Sequence, residues 1–367
     1  MVKCNHKEKK MRNHEVVEGQ KLLDKNGNIG EPGWARKLVW EYSRKDIKAA
    51  KFRIKEWDYY IVIHDGKKDG TESFAAAFTI SDDGYVGLQS VSLLHLDKEN
   101  PSEHTQTVLN VFPMGKLKLP PSSEKGNVTY KDKKLNMQFI KTDGQRQIKC
   151  QYDDFYKGKS LFADITLQQP DMDTMVIATP WDKNAHFYYN QKINCMKASG
   201  TVFYDGKTYT FNPEYDFGTL DWGRGVWTYD NTWYWGNGNA LVDGHTVGFN
   251  IGYGFGNTSA ASENILIVDG VAHKLDDVDF GIPNDPDPKA MDGPEYNSIW
   301  KMTSSDGRFE VTFEPVLDRF AKMDFKVIVS DQHQVFGRMN GKITLDDGTI
   351  LQLDDVLCFA EKVHNRY

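Results

Sequence analysis

The chain has 367 residues, of which 39% are hydrophobic and 13% aromatic, with 31 glycines and a net charge of −7. That is too long for one small core and too apolar for a disordered chain, so two domains or one large β assembly are expected. Residues 1–56 hold 15 Lys/Arg against 8 Asp/Glu, an excess of 7 that leaves −14 elsewhere, but the basic residues are scattered among apolar ones, as on a solvated face and unlike a nucleic-acid surface.

In chain order, residues 1–13 are polar and are expected to fray. Arg53–His64 is a β-rich segment in which Trp57 and Tyr59 alternate with Asp58 and Tyr60. Phe74–Ile80 and Tyr85–Leu96 flank Asp82-Asp83-Gly84, a hairpin turn. Ser102–Phe112, bounded by Pro101 and Pro113, is predicted to be a helix. Short strands at regular spacing follow, the pattern of a sandwich or barrel. A boundary is expected near residue 195, dividing a first domain (14–195) from a second (196–367). Asp205-Gly206, Asp243-Gly244 and Asp269-Gly270 are further hairpin turns, and an acidic, proline-rich loop spans 276–294. The expected fold is all-β, with two consecutive antiparallel barrel-like or half-barrel domains and a cleft between or within them.

The most informative stretch is 216–257, with Trp222, Trp227, Trp233 and Trp235 inside fourteen residues. A two-residue turn at Asp243-Gly244 would pair Val242 with His245, Asn237 with Asn250, Trp235 with Gly252 and Trp233 with Gly254. One face then carries Trp233, Trp235, Asn237 and Asn239 opposite Gly248, Asn250, Gly252 and Gly254. Indoles, amides and bare backbone suit the wall of a ligand cavity. The same pattern also arises when each indole merely covers a cross-strand glycine.

The chain lacks GxSxG, HExxH, Walker and zinc-deaminase patterns, and the cysteines (Cys4, Cys150, Cys195, Cys358) form no CxxC pair. No cofactor or metal is expected, and the acidic loop reads as solvated, with loose calcium binding the alternative. No signal core or membrane span is seen, so a cytoplasmic protein is expected, with a small molecule as its partner and neither nucleic acid nor membrane. What remains is acid–base chemistry. Asp221 among indoles would be partly desolvated and suited to proton transfer, with Arg224 holding an oxygen. An Asp221–Arg224 pair that only ties down the bend is the competing reading. Asp230, Glu263 and Tyr229 are further candidates, as are Trp57, Asp58 and Tyr60. Paired carboxyls (Asp221 with Asp230, Asp216 or Glu263) beside tryptophan platforms leave a carbohydrate-active enzyme open. A non-catalytic ligand carrier also remains open.

Gly33-Trp34-Ala35-Arg36, Lys55-Glu56-Trp57-Asp58-Tyr59-Tyr60, Phe187-Tyr188-Tyr189-Asn190-Gln191-Lys192, Leu220-Asp221-Trp222-Gly223-Arg224-Gly225-Val226-Trp227 and Gln332-His333-Gln334-Val335-Phe336-Gly337 are motifs that carry a family resemblance. Through them the chain resembles, nearly end to end, the bacterial "domain of unknown function 2804" family. It departs from that pattern at Gly236-Asn237-Gly238-Asn239. More loosely it is similar to two-domain, lipocalin-like proteins that include carotenoid hydratases and cofactor-free cyclases. That resemblance implies lipocalin-like domains and a hydratase, lyase or isomerase type of activity, and places no catalytic residue.

Overall fold

A computed structural model describes residues 13–324, 326 and 328–366. The tail expected to fray, residues 1–13, lies outside that range apart from Asn13. The described residues form β-strands joined by turns, with three single-turn 3-10 segments and no α-helix, hence no helix long and apolar enough to cross a membrane.

Two curled antiparallel sheets hold nearly all the strands. The main path of the first comprises β1 (Ile54–His64), β2 (Phe74–Asp82), β3 (Val86–His95), β4 (Ser102–Val111), β5 (Val128–Lys131), β6 (Leu135–Thr142), β7 (Gln145–Tyr156), β8 (Lys159–Gln168), β9 (Phe187–Tyr204) and β10 (Phe217–Val226). Their spatial order is β4-β3-β2-β1-β10-β9-β8-β7-β6-β5. The second comprises β11 (Asp230–Val242), β12 (His245–Tyr253), β13 (Ile265–Val268), β14 (Val271–Lys274), β15 (Val278–Asp279), β16 (Trp300–Ser304), β17 (Phe309–Asp324), β18 (Val329–Thr344) and β19 (Ile350–Arg366). Their order is β14-β13-β12-β11-β19-β18-β17-β16-β15. Both sheets are up-and-down meanders whose first strand pairs with the last, opened at a single connection: β4 to β5 in one, β14 to β15 in the other. First-to-last pairing curls each sheet around its own apolar interior and hides most of its edges.

Turn chemistry fixes the pairings. Asp205-Gly206, Asp243-Gly244 and Asp269-Gly270 all place both residues at positive φ, 50° and 86° in the middle case, as two-residue hairpin turns require. The expected register follows, with Val242 opposite His245, Asn237 opposite Asn250 and Trp235 opposite Gly252. The expected Trp233–Gly254 pair does not form, because β12 ends at Tyr253; Trp233 instead faces Val363 of β19.

Two further expectations need correction. Ser102–Val111 is a strand, not a helix. Its β-branched Thr105 and Thr107 bond across to Ser92 and Ser90 at 2.9 and 3.0 Å, and the flanking prolines end a strand as readily as a helix. The sheets divide between Val226 and Asp230, not near residue 195. β9 runs straight through that position with a bulge, Cys195 at φ 58°, which turns the Asn194 amide towards Asn237 of the second sheet at 3.0 Å.

Side-chain alternation then sorts the buried residues into three layers. Ile54, Tyr60, Val62, Leu220 and Trp222 fill the first barrel, and Phe249, Ile251, Trp300 and Phe313 fill the second. Between the sheets lies a third layer, with Ile61, Ala77, Trp235, Ile267 and Phe359. The candidate site opens from that middle layer and from neither barrel interior.

Candidate active site between the sheets

On β10 the odd positions face the other sheet and the even ones face the first barrel. A row of cross-strand neighbours crosses the first sheet from Lys192 through Asp221, Tyr59 and Thr79 to Ser90. A row across the second sheet runs from Trp235 through Glu361 and Gln334 to Arg319. All nine side chains line one cleft of about 500 Å³, a size that suits a small molecule. Arg319 ties its far side together, donating to Gln334 at 3.0 Å in its own sheet and to Ser92 and Glu103 of the other at 2.7 and 2.9 Å.

Asp221 accepts from Lys192 Nζ at 2.8 Å and from Asn190 Nδ2 at 2.7 Å, both on Oδ1. The buried Lys192 ammonium also lies 4.0 Å from the centre of the Trp235 ring, a cation–π contact strengthened by exclusion of water. Across the cleft, Glu361 accepts from Trp233 Nε1 and Gln334 Nε2, each at 3.0 Å. Burial pushes Glu361 up to about 7, and the Asp221 charge adds to this, against the pull of the Trp233 N–H and the Lys192 ammonium. Glu263 is likewise pushed up to about 7 by burial, with Lys192 opposing and Asp221 adding. A carboxyl that titrates near neutrality inside a cleft has the property a general acid needs.

The apolar walls are aromatic. Trp57 stacks on Tyr188 (6.4 Å between centres) and Tyr188 on Phe255 (5.0 Å), while Trp227 stands edge-on to Trp57 and Trp233. Trp57, Trp227, Trp233 and Trp235 therefore meet at the cleft, and Trp222 does not. Trp235 is enclosed by Tyr59, Phe359 and Lys192, and its indole N–H donates to Asn250 at 2.7 Å. The three atoms nearest to a Cβ at Gly252 belong to Tyr234, Glu263 and Phe255, and none is in the Trp235 ring. A side chain at Gly252 would meet Glu263 Oε1, 2.7 Å from a Cβ there.

Other candidates are dispersed. Asp221 and Arg224 do not pair, since residues three apart on a strand point to opposite faces. Arg224 is enclosed in the first barrel, where it donates to Asp58 Oδ1 at 3.0 Å and to the carbonyls of Trp57, Gly223 and Pro120 at 2.8 Å. Trp222, Asp58 and Tyr60 face that interior with it, and Tyr60 takes a hydrogen bond from Arg146. Asp230 pairs with Lys289 at 3.1 Å at the outer end of β11, and Tyr229 beside it is exposed. Asn237 and Asn250 belong to a buried amide network with Asn194, beneath the cleft and not in its wall. Glu263 joins the charged cluster from behind Gly252, its Oε2 accepting from the Tyr188 hydroxyl at 3.2 Å. In the 276–294 loop, Asp285 is occupied by Lys362 at 2.6 Å and by the Tyr234 hydroxyl at 2.7 Å. No group of three metal-ligating side chains gathers among the described residues.

Sequence reasoning missed Lys192, Glu361, Tyr59, Gln334 and Arg319. Lys192, Tyr59 and Gln334 sat inside motifs already quoted, and the alternation that puts Tyr59 on the same face as Trp57 carries it to the cleft with that indole. Glu361 and Gln334 come from strands more than a hundred residues beyond Asp221 in the chain, and no local signal joins them.

Fold and site thus define a double half-barrel protein with a charged, aromatic-walled cleft between its sheets. The chain belongs to the family described as "Domain of unknown function (DUF2804)", whose model matches residues 13–367. No curated protein matches it. Among solved structures it is similar to kievitone hydratase from Nectria haematococca, with 10% identity over 85% of this chain and 88% of that one and a TM-score of 0.45. It is also similar to CghA, with 8% identity over 95% and 97% and a TM-score of 0.38. At such low identity and TM-score neither likeness transfers an activity.

Proposed function

We propose that the chain is an acid–base enzyme, of the hydratase, lyase or isomerase kind, that moves a proton on an apolar or amphipathic small molecule held between its two sheets. The observation that carries this reading is the meeting of two carboxyls from different sheets in one aromatic-walled cleft, Asp221 beside Lys192 and Glu361 beside Trp233. Asp221, held by an ammonium and an amide, acts as base; Glu361, pushed up to about 7, acts as acid. Lys192 steadies whichever carboxyl is ionised, and the tryptophans hold the apolar part of the substrate. The reading calls for no cofactor, nucleic acid or membrane. A carbohydrate-active site has less support: Asp216 is bonded to His64 at 2.8 Å and Asp230 to Lys289, so neither is offered to a sugar beside Asp221, and Glu263, which does lie near Asp221, sits behind Gly252 and outside the cleft wall.

The test starts with native mass spectrometry of freshly purified protein, to identify a co-purifying small molecule. That molecule is then incubated with the enzyme in deuterium oxide. Wild type should place deuterium on its carbon skeleton or change its mass by one water, and Glu361→Gln should do so at least about 100-fold more slowly. Recovery of the molecule unchanged with wild type would reduce the cleft to a carrier site.

A further inference from the structure

Two buried donors of the cleft wall are left over among the described residues, the Trp227 indole N–H among the aromatic rings and the Tyr59 hydroxyl beside the charged groups, and the second faces the proposed chemistry. The Tyr59 hydroxyl is enclosed and finds no acceptor for its proton, and the Gln334 amide approaches it only as a donor. Its ring sits edge-on to Trp235 at 6.1 Å, directly across the strand pair from Asp221. Gln334 lies beside it, but its amide nitrogen is itself a donor, bound to Glu361, and its amide oxygen already accepts from Arg319 at 3.0 Å. The Tyr59 proton therefore has no acceptor in the protein. A buried donor without an acceptor is rare and costly enough to need a reason.

We infer that Tyr59 donates to a carbonyl oxygen of the substrate, which makes the substrate an apolar ketone or enone. This rests on the acid–base reading of the same cleft. The surroundings select the acceptor: three carboxyls, Asp221, Glu361 and Glu263, surround Lys192, and the Arg319 cation near Tyr59 is already paired with Glu103 at 2.9 Å, so a further carboxylate is disfavoured here while a neutral carbonyl meets no such repulsion. Trp57 and Trp233 suit a planar, conjugated skeleton on either side of it.

The chemistry then closes. Asp221 takes a proton from the carbon next to the carbonyl, and the C–H pair becomes the enolate double bond. The carbonyl π pair moves onto oxygen, where Tyr59 stabilises it. Collapse of the enolate takes a proton from Glu361 at the same carbon or at the far end of the conjugated system, which moves the double bond. The two carboxyls exchange their proton through solvent before the next turnover. No electron is gained or lost.

The experiment uses benzylideneacetone as the ketone probe and 4-phenyl-1-butene as a comparison without the carbonyl, with affinity read from tryptophan fluorescence. Wild type should favour the ketone by about tenfold, and its carbonyl stretch should shift to lower frequency on binding, because one net hydrogen bond is worth roughly this much. Tyr59→Phe, which keeps the ring and its packing, should abolish both the preference and the shift. With a turned-over ketone, its rate should fall about 10²–10³-fold. Equal affinity for the two probes in wild type, or a carbonyl shift that survives in Tyr59→Phe, overturns the inference about Tyr59. A Tyr59-dependent ketone preference upholds it even where Glu361→Gln leaves deuterium exchange unchanged, an outcome that sinks the acid–base reading alone.

Discussion

β10 carries an ion pair on each of its faces, and the two pairs are put to different use. On the barrel face, Arg224 directs both terminal nitrogens to protein acceptors, Asp58 and three backbone carbonyls, and its guanidinium lies over Trp222 at 4.3 Å. Burial pushes Asp58 up and the Arg224 charge opposes it. The Arg224 Nε–H has no partner, but it is fully enclosed and lies outside the cleft. On the cleft face, Lys192 and Asn190 both bond to Oδ1 of Asp221, and Oδ2 takes no hydrogen bond among the described residues. Two residues three apart in sequence thus belong to a strut and to a site. Spare bonding capacity beside a cavity, more than charge or burial, separates the two.

The largest expected effect breaks the strut. Arg224→Met leaves the Asp58 carboxyl buried without its partner, which costs about 3–5 kcal/mol of stability, and a denaturant series at constant m should show it. An effect below about 1 kcal/mol would mean that the barrel-face pair is dispensable. On the other face, Glu361→Gln should lower turnover at least about 100-fold, equivalent to roughly 3 kcal/mol of barrier. Stability should change little above neutral pH, because removal of a desolvated carboxylate is offset by the new amide NH2, which keeps an acceptor for the Trp233 N–H but sets a donor against Gln334 Nε2.

The same carboxyls give the cleft a pH signature. Glu361 and Glu263 titrate at about 7 in the folded protein, against about 4.3 in an unfolded chain. Between those values the folded state holds more protons than the unfolded one, so stability falls as pH rises through this window and levels off above it. Each glutamate contributes on the order of 3 kcal/mol to that loss. Chemical denaturation at pH 5 and pH 8 should therefore show a decline in wild type that is roughly halved in Glu361→Gln. An unchanged decline would place the titration elsewhere.

How much of this was legible in the sequence follows from what is local. The hairpin register, the side on which Trp233 and Trp235 lie and the all-β class depend on turn residues and period-two alternation, and all were readable. The Asp221–Arg224 association was not, although the rule that forbids it is the same alternation. Proximity in sequence was read as proximity in space. The boundary near 195 mistook a bulge for a domain break, since a change of local pattern looks alike in both cases. Glu361 and Gln334 were beyond reach, because only the closing of β19 onto β11 brings them beside Trp235 and Tyr59. A helix for 102–112 failed because two prolines bound a strand equally well.

The smallest expected effect sharpens the comparison with one substitution made on each side of the sheet layer. Trp235→Phe keeps an aromatic ring against Phe359 and Tyr59 but loses the indole hydrogen bond to Asn250 and weakens the contact with Lys192. One lost hydrogen bond and a poorer cation–π partner together cost about 1–2 kcal/mol of stability. Trp222→Phe, in the first barrel, gives up no indole hydrogen bond, since its nitrogen has no partner. It leaves a small cavity beside Tyr189 and weakens the contact with Arg224 instead, and its cost should be similar. Stability therefore does not distinguish the two, and ligand affinity does. Trp235→Phe should weaken binding of the co-purifying molecule by up to about tenfold, through the Lys192 and Tyr59 side chains it positions, while Trp222→Phe should leave binding unchanged. Equal losses from both would show that the cleft responds to the packing of the whole layer, and that the two faces of β10 are not the independent units their bonding indicates.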